Sequence, residues 1–227
     1  MMHKDQTLSK NIKVVFSPND EPYLGRELLF HYDQMISCCL EINAEMAPHS
    51  HKIALSSSQK MACQVIPQSI SLVLSIRELI RQGYLFGAHV LKRSLIERVT
   101  ILLYLHHFPD KQVLWDEGWK HKNAPSLAKM FEQINQKEKH DLKVKGHELT
   151  ASLNSLVHGK PESAAWNSVI MGDGQFGSAP SKMLNSPKLC DDLCADILPW
   201  LTIIPALMCA YFPESRGSES LPINSLR

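Results

Sequence analysis

The chain has 227 residues, 44% of them apolar and 21% charged, which is the balance of a globular chain and excludes a disordered or fibrous one. Lys plus Arg (24) against Asp plus Glu (23) leaves a net charge of +1, so no chain-wide basic coat for nucleic acid exists and only a local patch can serve. Six cysteines with no Cys-x-x-Cys pair, in a chain too long to need staples, read as free thiols in a reducing cytoplasm.

Residues 1–20 are polar apart from Val14-Val15-Phe16 and read as an arm or a short edge strand, with no apolar signal-type core in Met1–Lys13. Asp20-Glu21-Pro22 looks like a helix start. Leu24, Leu28, His31, Met35, Cys38 and Ile42 recur at helical spacing, which predicts a helix from Tyr23 to Met46 stopped by Pro48. The Ser-rich stretch 49–58 offers Ser57 or Ser58 as the next cap. A second helix is expected over Ser58–Gln82, kinked or broken at Pro67, with Gly83 as a left-handed cap.

The third helix, Tyr84–His107, is apolar around most of its circumference and is expected to be central and buried. Pro109-Asp110 opens a short amphipathic piece with Trp115 and Trp119. Pro125 starts a helix to Gln136 with Leu127, Met130, Phe131 and Ile134 on one face. The charged run 136–141 reads as a solvated turn, and a helix over Leu142–His158 is stopped by Gly159 and Pro161. Asp173-Gly174 between short apolar runs suggests a hairpin. Ser186-Pro187 begins a last helix to Phe212, and the tail 213–227 reads as disordered. The expectation is all-α: a single bundle of five to six helices over residues 21–212, with a small hairpin or loop insertion before the last helix.

Ile197–Phe212 is sixteen residues without a charge. A spanning helix needs roughly twenty, and upstream extension meets Asp196, Asp192 and Asp191. Pro199 and Pro205 add kinks, so a buried terminal helix is expected over a membrane anchor.

One polar stripe stands out. His89, Arg93, Glu97, Thr100, Tyr104 and His107 share a face of the apolar third helix, with Arg93 and Glu97 four apart and able to pair. The pair is either a structural bridge between helices or a pre-set Arg, held by Glu97, for an anionic group. In the helix over Leu142–His158, His147, Asn154 and His158 align opposite Leu149, Leu153 and Leu156, with Ser155 beside them. His158, in the last turn, is either a capping residue or an acid–base group.

Weaker constellations read blandly. His49-x-His51 and His106-His107 are surface histidines rather than metal ligands, no cofactor loop is legible, and Cys190 and Cys194 are paired by burial. Lys137, Lys139, Lys143, Lys145 and Lys160 form a basic patch, solvated or touching an RNA backbone.

Two segments together resemble a known pattern. Gln82-Gly83-Tyr84 through Ala88, Arg93, Ser94, Leu95, Glu97 and Tyr104, and then Ser152 to Gly159 with its Ser155-x-x-His158 ending, resemble the signature of prokaryotic helical domains of unknown function related to the HEPN superfamily. The resemblance covers about residues 60–165. It implies a HEPN-like bundle, a homodimer and metal-independent ribonuclease chemistry, in a toxin or defence setting with a cognate protein partner.

Carried onto this chain, the resemblance makes His158 the acid or base and Arg93 the phosphate-stabilising cation. Glu97 holds Arg93, Asn154 orients substrate, and Ser155, Lys160 and Tyr104 bind it. RNA is the expected partner, with no metal, no cofactor and no membrane. The sequence departs at positions 151–153, Ala-Ser-Leu, where HEPN nucleases carry an Arg on the helix of the catalytic His. Arg93 then supplies that charge from the neighbouring helix, or the domain is a non-catalytic ligand-sensing or protein-interaction module whose polar residues form a buried network.

Overall fold

Seven α-helices form where the 3.6-residue periodicities lie, in a computed structural model that describes residues 21, 23–51, 54–119, 124–138, 146–161, 163, 168–170, 173, 175–178 and 187–213. They are α1 (Glu27–Ser50), α2 (Ser57–Arg81), α3 (Leu85–His107), α4 (Gln112–Asp116), α5 (Leu127–Glu138), α6 (Gly146–Val157) and α7 (Pro187–Tyr211). The all-α expectation holds, and the helix beyond six is the short Trp-bearing piece at α4. Before α7, β1 (Ser168–Ile170) pairs antiparallel with β2 (Phe176–Ser178), Ile170 opposite Phe176, so the hairpin forms across Asp173. The expected arm 1–20, the tail beyond residue 213 and the charged stretch 139–145 lie outside the described residues.

Several helix ends differ from expectation for local reasons. α1 begins at Glu27 rather than Tyr23, because Gly25 (φ +86°) turns the chain just ahead of it. It runs through Pro48 to Ser50, since a proline in the last turns forfeits a bond without ending the helix. The cap of α2 is Ser56, not Ser57 or Ser58. Its hydroxyl accepts from the Gln59 amide (3.2 Å) while the Gln59 side chain accepts from the Ser56 amide (3.1 Å), a reciprocal box worth about 1 kcal/mol. Pro67 lies inside a continuous α2. Gly83 (φ +78°) closes it as expected, with the Gly83 amide donating to Ile80 O and the Tyr84 amide to Leu79 O.

Helix α3 is central, as its apolar circumference requires: Leu95, Val99 and Leu102 are fully buried, and it packs on α2, α7, α5 and α6. α1 and α7 lie against one another and close the core with α2. α7 is long and apolar enough to span a bilayer by length and composition alone. Cys190, Leu193, Cys194, Ile197, Leu201 and Ile204 on it have no exposure and face α1, α2 and α3, while 39% of its apolar window is buried in all. Each such leucine or isoleucine contributes roughly 1.5–3 kcal/mol by leaving water. Phenols that enter the core find acceptors: Tyr32 donates to Val73 O (3.1 Å) and Tyr211 to Leu102 O (2.7 Å).

Two further contacts fix the helices around α3. Arg77 on α2 grips Asp33 of α1 (2.5 and 2.9 Å) and Glu21 just upstream (2.5 Å). A smaller apolar cluster, Ile96, Leu127, Phe131 and Leu153, with Leu149 and Trp200 packed against it, docks α5 and α6 onto α3. That cluster sets the position of the polar residues beside it.

Candidate functional site on the α3–α6 seam

Leu153 is buried in one cluster with Ile96, Leu127 and Phe131, and the next residue on α6, Asn154, meets Arg93 of α3. Arg93 Nη1 donates to Asn154 Oδ1, and both side chains are half-buried. Two of the four expected catalytic residues are therefore in direct contact. Glu97 is half-buried one turn further along α3, and no ion pair joins it to Arg93. The expected Arg93–Glu97 pair is replaced by a bond across the seam, because docking of α6 places a fixed carbonyl oxygen opposite the guanidinium.

His158 is exposed at the end of α6, its amide donating to Asn154 O (2.9 Å). Four residues at 1.5 Å rise put it roughly 6 Å along the axis from Asn154, on the same face. Gly159 (φ +61°) ends the helix, and the Lys160 amide returns to Ser155 O (3.2 Å). Ser155 is half-buried and Lys160 exposed, three residues before and two residues after His158.

The rest of the α3 stripe divides among different neighbours. His89 is 3% exposed, and burial, helped by the Lys92 cation, pushes its imidazole down to about 3. It is a neutral core residue at neutral pH. Lys92 is itself buried and pairs with Asp196 of α7 at 2.5 Å. Thr100 bonds back to Ile96 O (2.7 Å). Tyr104 donates to Gln133 of α5 (2.9 Å) and lies eleven positions from Arg93, roughly 16 Å along the axis. The structure does not bring Tyr104 to the Arg93–Asn154 contact.

His107 is not a surface histidine: it is half-buried and meets Glu138 of α5 at 2.8 Å. His106 packs its ring edge against Tyr211, and burial with the adjacent His107 lowers its pKa. Of the basic patch, Lys137 donates to His107 O and lies 4.8 Å from the Phe108 ring centroid, committed to the end of α3. Lys139, Lys143 and Lys145 lie outside the described residues, as does the side chain of His147. Cys190 and Cys194 are both fully buried; a hydrogen bond between the two thiols lowers the first and raises the second.

The sequence reading missed Asn154 as the partner of Arg93, the Arg77 clamp and Gln133. Asn154 carried a usable signal: it directly follows Leu153 on the core stripe of α6, which marks the edge of a helix–helix seam. Chemically the α3–α6 contact presents a guanidinium with one donor held and the others uncommitted among the described residues, with an exposed His158 one turn beyond Asn154 and an exposed Lys160 two residues later.

Residues 59–173, just over half of the chain, match a family of unknown function, DUF5677. The match runs from the start of α2 through β1 and so contains the α3–α6 seam, while α1 and α7 lie outside it. Neither the curated proteins nor the solved structures contain a match to the chain.

Proposed function

The chain belongs to the DUF5677 family, whose function is unknown, and we propose that its α3–α6 seam recognises an RNA phosphate and cleaves beside it without a metal ion, in the HEPN-like manner. The observation that carries this reading is the Arg93–Asn154 bond. It brings the Arg93 guanidinium to α6 one turn before His158, which supports the reading that Arg93 supplies the charge absent from that helix.

His158 acts as the base that takes the proton of a ribose 2′-hydroxyl. The oxygen attacks the adjacent phosphorus, the bond to the 5′-oxygen breaks, and the leaving oxygen receives a proton from the imidazolium. Arg93 bears the developing phosphate charge and Asn154 fixes its orientation. Ser155 and Lys160 border the strand, Lys160 by attraction to its backbone. Glu97 lies outside the Arg93 contact and serves the field of the seam rather than its geometry. A second copy of the chain and a cognate protein, in a toxin or defence setting, are the partners this reading expects.

The test is incubation of the purified chain with total RNA, with and without chelator. Cleavage that persists in chelator and is abolished by His158→Ala, with the melting temperature nearly unchanged, supports the reading. Activity that vanishes in chelator and returns with a metal ion ends it. Binding without cleavage would favour the sensing or interaction module, for which the half-buried position of Arg93 and Asn154 between two helices is the relevant observation.

A further inference from the structure

A cavity of about 140 Å³ lies between the C-terminal half of α1, the first turns of α2 and Phe212, the residue that follows α7. Alanines meet there: Ala47 of α1 and Ala62 of α2 line it, and a methyl group on either side leaves the gap unfilled in an otherwise close-packed region. Met46, Ile66 and Phe212, all buried, supply its apolar wall. No Asp, Glu, Lys, Arg or His lines it among the described residues.

The polar groups at this wall are mostly acceptors without donors. Pro67 stands inside α2 and has no N–H, so the Cys63 carbonyl one turn earlier lacks its helical donor. Cys63 and Pro67 both line the cavity, four residues apart on one stripe of α2, which places that carbonyl at the wall. Ser50 gives its hydroxyl proton to Ala47 O (2.7 Å) and keeps its oxygen as an acceptor. Asn43 is half-buried at the same wall, and its amide has no partner among the described residues.

We propose that this cavity binds a small neutral aromatic alcohol, a single ring bearing one hydroxyl. An apolar cavity of roughly 150 Å³ takes up a benzene-sized molecule, so the volume limits the ligand to one ring. The ring lies against Met46, Ile66 and Phe212, which gain apolar contact where the two alanines leave none. The hydroxyl donates to an acceptor that lacks a proton, Asn43 Oδ1 or the Cys63 carbonyl, and the Asn43 amide group donates back to the hydroxyl oxygen. A carboxylate or an ammonium would enter without a counter-charge, which burial penalises heavily. None of the lining residues belongs to α3 or α6, so the site stands apart from the seam and from RNA cleavage there.

The experiment is isothermal titration of the full chain with phenol, toluene and benzoate. Phenol should bind saturably with a Kd tighter than about 1 mM, the scale open to so small a ligand, and benzoate at least about tenfold more weakly. Asn43→Leu, which keeps the size of the side chain and deletes its amide, should lower the ratio of phenol to toluene affinity about tenfold. Ala62→Leu, at a fully buried position, and Ala47→Leu, at an exposed one, each fill the cavity from one side and should abolish phenol binding. Circular dichroism checks the fold, and the exposed position keeps the test valid where Ala62→Leu disturbs packing. Absence of saturable phenol binding, unchanged affinity in a folded Ala47→Leu protein, an unchanged ratio in Asn43→Leu, or benzoate binding as tightly as phenol would each overturn the proposal.

Discussion

Acidification should destabilise this protein through His89 well before general acid unfolding. The side chain is 3% exposed on α3, and burial together with the neighbouring Lys92 cation lowers its pKa from 6.5 to about 3, against a smaller opposing pull from Asp192. In the unfolded chain the imidazole takes up a proton as pH falls through 6.5, while the folded chain refuses it until about 3. The unfolded state thus binds more protons across that window, and stability falls with pH. With these two values the loss is about 2 kcal/mol between pH 7 and pH 5, and it reaches roughly 4 kcal/mol at pH 3. Urea unfolding followed by circular dichroism at pH 7 and pH 5 reads this directly. His89→Gln removes the titration, and carboxylates elsewhere act equally on both chains. The variant should therefore lose about 2 kcal/mol less than the native chain over the same interval. The same pH dependence in both proteins would refute the assignment of His89 as a neutral core residue.

Arg77→Met should cost about 3 kcal/mol in the same assay, because it leaves Glu21, with a side chain only 6% exposed, without its counter-charge, and Arg77→Lys should recover only part of that. Leu102→Ala, at a fully buried position on α3, should cost about 3 kcal/mol by emptying the centre of the core. Ser56→Ala should cost about 1 kcal/mol by opening the capping box of α2, read as a fall in Tm of roughly 2–4 °C.

The helices were legible because their signals are local. The apolar circumference of α3, the left-handed Gly83 and Gly159 and the Pro125 start each fix an element without reference to the rest of the chain. Pro48, read as a stop, misled, because packing overrides a single proline: Pro48, Pro67, Pro199 and Pro205 all lie inside helices, the last two as expected. A lost backbone bond at one position is outweighed by an apolar face buried over 24 or 25 residues. Side-chain partners were less legible, because they depend on which helices meet. Helical spacing made Glu97 the obvious partner for Arg93, yet the choice of Asn154 follows from Leu153 entering the buried cluster of Ile96, Leu127 and Phe131, residues far from it in the chain. The Arg77 grip on Glu21 and Asp33 spans 56 and 44 positions and leaves no spacing signal at all.

Whether Arg93 is a site or a scaffold can be decided by separating its stability from its chemistry. Since its partner is Asn154, Asn154→Ala should cost about 1–2 kcal/mol, for a half-buried guanidinium deprived of its acceptor. Glu97→Gln removes no contact to Arg93 and should cost less than about 0.5 kcal/mol. Arg93→Met with Asn154→Leu exchanges the polar bridge for an apolar one beside the Ile96–Leu153 cluster. That pair of changes should cost less than the sum of the single ones, with a coupling of about 0.5 kcal/mol or more in the double-mutant cycle. If the bridge serves RNA recognition, the doubly changed protein stays folded and loses RNA binding and cleavage. If it serves only to join α3 and α6, the stability result is the same and RNA binding is untouched. A Glu97→Gln cost exceeding that of Asn154→Ala would contradict the partner assignment itself, and with it the geometry on which the seam's chemistry depends.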